Sequence, residues 1–324
     1  MKKSIFLRLK PLLFLVALNL ISCSKDDQQE GVKDEEGVTV DVERTKGLVE
    51  INALVVYEFK NNEYVKTKLY KVSDEQNGLQ NDNVKQKKIL DLVDKIIPQN
   101  YKSFINEIVL FDVEDLGGYV HPLKGDFSSL QLGLSLTALE DETIDIEEVI
   151  VHELGHVLTF NSTQFKEGLA DCETFKVDIP GAELITEVGV KACANNASYV
   201  NDFEQKFWKV IRGELERLNE LDENDDPSYF QEKFEFDERH RDRFVSDYAA
   251  TSFIEDIAEV FNYFVRGDKP TTNSKIKDQK ILYMYENDEL NSVRDFIRSN
   301  ITFNISARKV NKKNKQFKYC LGKH

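Results

Sequence analysis

The sequence predicts an α+β fold: an N-terminal mixed sheet, a helix carrying His152-Glu153-Leu154-Gly155-His156, and a mostly helical C-terminal lobe. Three observations predict it. Short runs of β-branched and aromatic residues cluster before residue 140, as half-buried strands require. Apolar residues at helical spacing dominate after it. Between the two stands HELGH, which puts two imidazoles one turn apart on a single helix face. The 324 residues fit one domain of two lobes, 47–160 and 161–324, with a cleft between them.

Residues 1–22 read as a lipoprotein signal peptide. Lys2, Lys3, Arg8 and Lys10 give a basic start, and Leu12 to Ser22 is an apolar run ending at Cys23. That run is too short for a permanent membrane span. Leu20-Ile21-Ser22-Cys23 resembles the lipobox of bacterial lipoproteins, which implies a lipid anchor on Cys23 and attachment to the outer membrane. Ser24-Lys25-Asp26-Asp27 resembles the short acidic export tags of surface-exposed lipoproteins. Residues 23–46 are acidic and aromatic-free, a composition expected of a disordered tether. Without residues 1–22 the chain keeps 39 basic against 58 acidic residues, and the net charge of −15 becomes −19. Such a body repels phosphate backbones, which argues against nucleic acid. The tail from Arg308 to Lys323 carries seven Lys or Arg and no acid, and reads as solvated.

Val49–Phe59 and Tyr64–Val72 read as strands of a hairpin turning at Asn61-Asn62. Residues 74–84 read as a polar loop. Val84–Ile97 has helical spacing and stops at Pro98. Phe104–Val113 and Ser128–Leu139 read as strands, the second as an open edge on which an extended peptide would lie. Ile144–Phe160 reads as one helix, with Asp145 and Glu148 as a capping box. Its apolar stripe is Ile150, Leu154, Val157 and Leu158, with His152 and His156 opposite. Val200–Leu221, Ser252–Val265 and Lys275–Asn300 read as further helices, with an acidic break at Asp222–Pro227. Export to an oxidising compartment permits a Cys172–Cys193 bridge and leaves Cys320 unpaired.

The chain has five histidines, and two fall at metal-ligand spacing around a Glu. In HExxH sites the metal lowers the pKa of its water and the Glu acts as general base. A catalytic zinc also needs a third protein ligand. No His follows His156 by six residues, and His121, His240 and His324 are poorly placed, so a carboxylate is favoured. On the helix from Ser252, the apolar face is Phe253, Ile257, Val260, Phe261 and Phe264, while Glu255, Glu259, Asn262 and Arg266 stack along the other. That polar stripe suits a solvated face equally well. The alternative is Glu167 of Glu167-Gly-Leu-Ala-Asp171, 11 residues beyond His156. The residues alone leave both open.

Tyr248 to Phe261 resembles the active-site stretch of gluzincin proteases of the anthrax lethal factor type. There a Tyr precedes the zinc-binding Glu by seven residues and a second Glu follows it by four, positions held here by Tyr248, Glu255 and Glu259. Together with the lipobox and HELGH, residues 244–300 resemble zinc metallohydrolase lipoproteins associated with substrate import across the outer membrane. The stretch 161–240 departs from that pattern. The resemblance implies a zincin-like metalloprotease fold with one Zn²⁺ per chain on His152, His156 and Glu255. Glu153 would be the general base, Tyr248 the hydrogen-bond donor to the oxyanion with His240 as fallback, and Glu259 the group orienting a ligand His. It further implies a peptide or protein substrate and import proteins as partners. A non-catalytic, zinc-containing substrate-capture lipoprotein is the rival reading. An intact Glu153 favours the enzyme, because a structural site has no need of it.

Overall fold

The computed structural model describes residues 32–33, 38–44 and 52–303, apart from 114–115, 124–125, 143, 168–171, 173, 175 and 180–189. Seven strands form a mixed sheet: β1 (Val32–Lys33), β2 (Thr39–Val42), β3 (Ala53–Lys60), β4 (Glu63–Tyr70), β5 (Ile105–Phe111), β6 (Gly118–Leu123) and β7 (Asp126–Ser135). Their spatial order is β1-β2-β4-β3-β5-β7-β6. The β2/β4 and β5/β7 pairs are parallel and the rest antiparallel.

The β3–β4 hairpin turns as expected at Asn61 and Asn62, whose φ values of 52° and 66° fit the two-residue turn that asparagine tolerates. Four departures from the sequence reading lie in this half. The tether expected through residue 46 yields Thr39–Val42 to the sheet, because three of these four residues are β-branched and pair beside β4. The expected loop 74–84 contains α1 (Asp74–Gln80), closed by a reciprocal capping box between Ser73 and Gln76. It is followed by α2 (Asn83–Ile96) and the single turn α3 (Gln99–Lys102). The sequence reading missed β6, a strand containing Pro122, which lacks a ladder donor and so suits an edge. The strand expected at 128–139 ends at Ser135 and lies between β5 and β6, so among the described strands the edge is β6 rather than β7.

The HELGH helix is α4 (Ile146–Thr159). Every residue from Val149 to Thr159 is buried, so the face opposite the apolar stripe meets protein and not water. After α4 come a three-stranded sheet that helical periodicity did not foretell, β8 (Phe165–Glu167), β9 (Lys176–Ile179) and β10 (Val190–Ala194), in order β8-β10-β9. A Cys172–Cys193 disulfide ties it, with Cα atoms 5.7 Å apart. The single helix expected over 200–221 is broken into α5 (Tyr199–Phe203), a π-helical turn at Glu204–Trp208, and α6 (Arg212–Glu223). The wide turn gathers Phe203, Phe207 and Trp208 with Phe253 in one aromatic cluster. Then follow α7 (Tyr229–His240), a 3₁₀ turn at Tyr248–Ala250, and α8 (Phe253–Arg266). The helix expected over 275–300 is two, α9 (Ile276–Tyr285) and α10 (Asp288–Asn300), because the Asn287 side chain caps the second.

One continuous apolar cluster runs from Leu54 of the sheet through α2 and α4 to Ile301 beyond α10. Within it α4 packs between the sheet and α8. The α4–α8 approach depends on Gly155, where an added Cβ would stand 2.9 Å from Ala258 Cα.

Candidate metal centre

Asp145 caps α4 by accepting from the Glu148 amide at 3.2 Å. The reciprocal half of the expected capping box does not form, because Glu148 turns to Arg266 and Asn262 of α8. Arg266 also bonds Asp145 at 2.6 Å. At the other end, Ser252 caps α8 through the Glu255 amide at 3.2 Å, leaving the Glu255 side chain for α4. The helices therefore run antiparallel, and all four polar residues of the α8 stripe face α4. A stripe that would suit water is an interface between two helices.

At the N-terminal end of α8 three ligand atoms converge. His152 Nε2 lies 3.1 Å from His156 Nε2 and 3.1 Å from Glu255 Oε2, and His156 Nε2 lies 3.4 Å from the same oxygen. Tetrahedral coordination with bonds of about 2.0 Å sets ligand atoms roughly 3.3 Å apart. The triangle has that size. His152 Nδ1 donates to Glu259 Oε1 at 2.8 Å, which fixes the tautomer and turns the Nε2 lone pair toward the other two. Glu259 in turn accepts from Ser246 Oγ at 2.6 Å. The sequence reading passed over Ser246. Its only signal there is that it stands two residues before Tyr248.

This group could hold a metal ion. Beyond size, the donor set fits one. None of the carboxylates of Glu153, Glu255 and Glu259 is paired with Lys or Arg among the described residues. Glu153 Oε2, Glu255 Oε1 and His156 Nδ1 are buried with no hydrogen-bond partner. Buried anions without a cation are costly, so the set favours a dication.

Electrostatics follow from the same arrangement. Burial pushes the Glu153 carboxyl up to about 7, against the pull of the neighbouring imidazoles. Burial would also raise Glu255, but His156 and His152 override it and hold that carboxyl down at about 2. Glu259 is likewise held low against its burial by His152 and Ser246. Burial opposes a proton on His152, yet its bonds to Glu255 and Glu259 draw its pKa well above 6.5. A cation on the three atoms would take the place of that proton.

The Tyr248 ring lies 5.8 Å from that of His152. Gly118 of β6 brings the outer strand of the sheet against Glu153, since a Cβ there would stand 3.0 Å from Glu153 Cγ. The backbone of Glu167 closes β8 opposite Ala192. His121 is buried in β6 with Nδ1 2.7 Å from the Pro122 carbonyl oxygen, and His240 bonds Glu214 at 3.2 Å. The expectations for Cys23, Asp171, Cys320 and His324 fall outside the described residues, in which no helix is long and apolar enough to cross a membrane. No protein-family model, curated protein or solved structure matches this chain.

Proposed function

We propose that this chain is a zinc-dependent metallopeptidase of the gluzincin type with a zincin-like fold, exported and anchored by lipid on Cys23. The observation that carries the reading is the convergence of His152, His156 and Glu255 beside a buried, unpartnered Glu153 oxygen. A purely structural site has no use for Glu153. Zinc, when bound, supplies a Lewis acid that polarises the scissile carbonyl and acidifies a water molecule. Glu153 Oε2 takes the proton of the attacking water and passes it to the leaving amine nitrogen. Burial holds that carboxyl at about 7 in the metal-free site, and a bound dication would draw it down toward the ionised form that accepts a proton. Tyr248 donates its hydroxyl hydrogen bond to the carbonyl oxygen as charge builds there. The peptide would lie in extended form along β6, the outermost described strand on that side of the sheet, whose Gly118 adjoins Glu153. The disulfide supports export, and the lipobox supports the outer-membrane anchor.

Deep burial favours a second reading, a capture lipoprotein of an import system with an inert metal. His152, Glu153, His156 and Glu255 are 0–3% exposed. Zinc analysis combined with peptide-library cleavage separates the two. One zinc per chain with cleavage that vanishes in Glu153→Gln, while zinc stays, supports the enzyme. Zinc without cleavage in the wild type supports the capture reading, and a wild type without zinc overturns both.

A further inference from the structure

We propose that the buried Lys280–Asp256–Trp208 network is a positioning device that fixes the rotation of α8 and thereby aims the Glu255 carboxylate at the two imidazoles. The inference rests on the metal reading above. Asp256 Oδ2 accepts from Lys280 Nζ at 2.6 Å and from Trp208 Nε1 at 2.6 Å. Lys280 and Asp256 are 0% exposed and Trp208 2%. Lys280 comes from α9 and Trp208 from the π-helical turn, so two elements other than α4 grip one carboxylate. The Lys280 ammonium is confined in turn, 4.5 Å from the Phe244 ring and 5.8 Å from that of Trp208.

Glu255 and Asp256 are successive residues, about 100° apart on the helix. What holds one in azimuth holds the other. A carboxylate oxygen roughly 6 Å from the axis moves about 1 Å when the helix turns by about 10°, and a functional site tolerates only about 0.5 Å. Apolar packing is non-directional and leaves such a turn open, whereas two hydrogen bonds to one oxygen do not. The far end of α8 has its own anchor in Arg266, two turns or more from the site. The Ser252 cap grips backbone alone.

Stability is a poor reason for this network. A buried ion pair is commonly matched or surpassed by apolar residues of similar volume. Asp256 Oδ1 has no hydrogen-bond partner, a defect that an apolar replacement would remove.

The test is the double variant Asp256→Leu/Lys280→Met in the full chain, read by zinc affinity from chelator competition, the visible spectrum of the cobalt-loaded protein, and the thermal midpoint. The midpoint is expected to hold or rise. Zinc affinity is expected to fall about 10- to 100-fold, as when partners behind metal ligands are removed, with displaced cobalt bands. Trp208→Phe keeps an aromatic ring in the core and removes one bond; it is expected to weaken zinc by several-fold with the same spectral drift. Should the double variant fail to fold, Trp208→Phe decides alone. Wild-type affinity and spectrum in the folded variants overturn the inference and leave the metal reading standing. A wild type that binds no zinc overturns both.

Discussion

Glu255 and Asp256 are adjacent on one helix and equally deep, yet they are neutralised in opposite ways. Asp256 meets a fixed ammonium and an indole N–H, so its charge is balanced by the chain itself. Burial pushes the Asp256 carboxyl up and the Lys280 ammonium down, and each partner opposes that push on the other. Glu255 meets two imidazoles, which are cationic only if protonated. Two further carboxylates, Glu153 and Glu259, crowd the same end of α4. That difference separates a buried acid with a fixed counter-ion from one whose neighbours carry no fixed charge. Asp256 has its counter-charge within the fold, while on the proposed reading Glu255 awaits a cation from solution. The far end of the same helix pair repeats the structural solution, with Arg266 between Asp145 and Glu148.

The sharpest way to break this contrast is to remove a partner from each acid. Lys280→Met strands Asp256 without a counter-charge, and should cost about 3–5 kcal/mol in unfolding free energy by urea titration. Glu255→Ala should abolish stoichiometric zinc and cost the metal-free protein less stability than Lys280→Met does, because the imidazoles left behind can shed their protons and His152 keeps its bond to Glu259. Loss of stability in Glu255→Ala comparable to that in Lys280→Met would erase the distinction.

Smaller effects sharpen it. Gly155→Ala forces a methyl against the Ala258 backbone, and should cost about 1–3 kcal/mol while weakening zinc, since both ligand helices must part. An unchanged thermal midpoint would show that the α4–α8 contact is slack. Glu259→Gln keeps a hydrogen-bond acceptor for His152 Nδ1 but loses its charge; zinc affinity by chelator competition should fall about 10-fold or more. Wild-type affinity there would deny Glu259 any part in tuning the imidazole.

The smallest effect is in pH. Glu153 must be ionised to accept a proton, so kcat/KM should rise with pH and level off at or below about 7, a bound dication drawing the value down. A profile that only falls as pH rises from 5 to 8 would remove Glu153 as base. For stability the signs differ between the two glutamates. Raised from 4.5, Glu153 destabilises the metal-free fold once ionised, and acidification through about 7 toward 4.5 relieves this. Held down at about 2, Glu255 stabilises above 4.5, and that contribution disappears as pH falls through about 2.

The features legible in residue order are the local ones. Two histidines four apart on a helix share a face by geometry, and Asp145 and Ser252 announce helix starts with their own side chains. The Asn61-Asn62 turn and the helix ending before Pro98 are equally short-range. A closer reading of Ser73-x-x-Gln76 would have found α1. Tertiary structure alone decided what crosses long stretches of chain. A polar stripe on an amphipathic helix looks the same whether water or a second helix covers it, so only packing could turn Glu255 toward the imidazoles. Strand periodicity cannot say which strand lies outermost, and the edge fell to β6. Ser246 behind Glu259, and Lys280 and Trp208 on Asp256, leave no trace in spacing. Each joins groups from separate elements, and burial is what makes such a contact matter: in water these charges are screened, but inside the core each must find its partner.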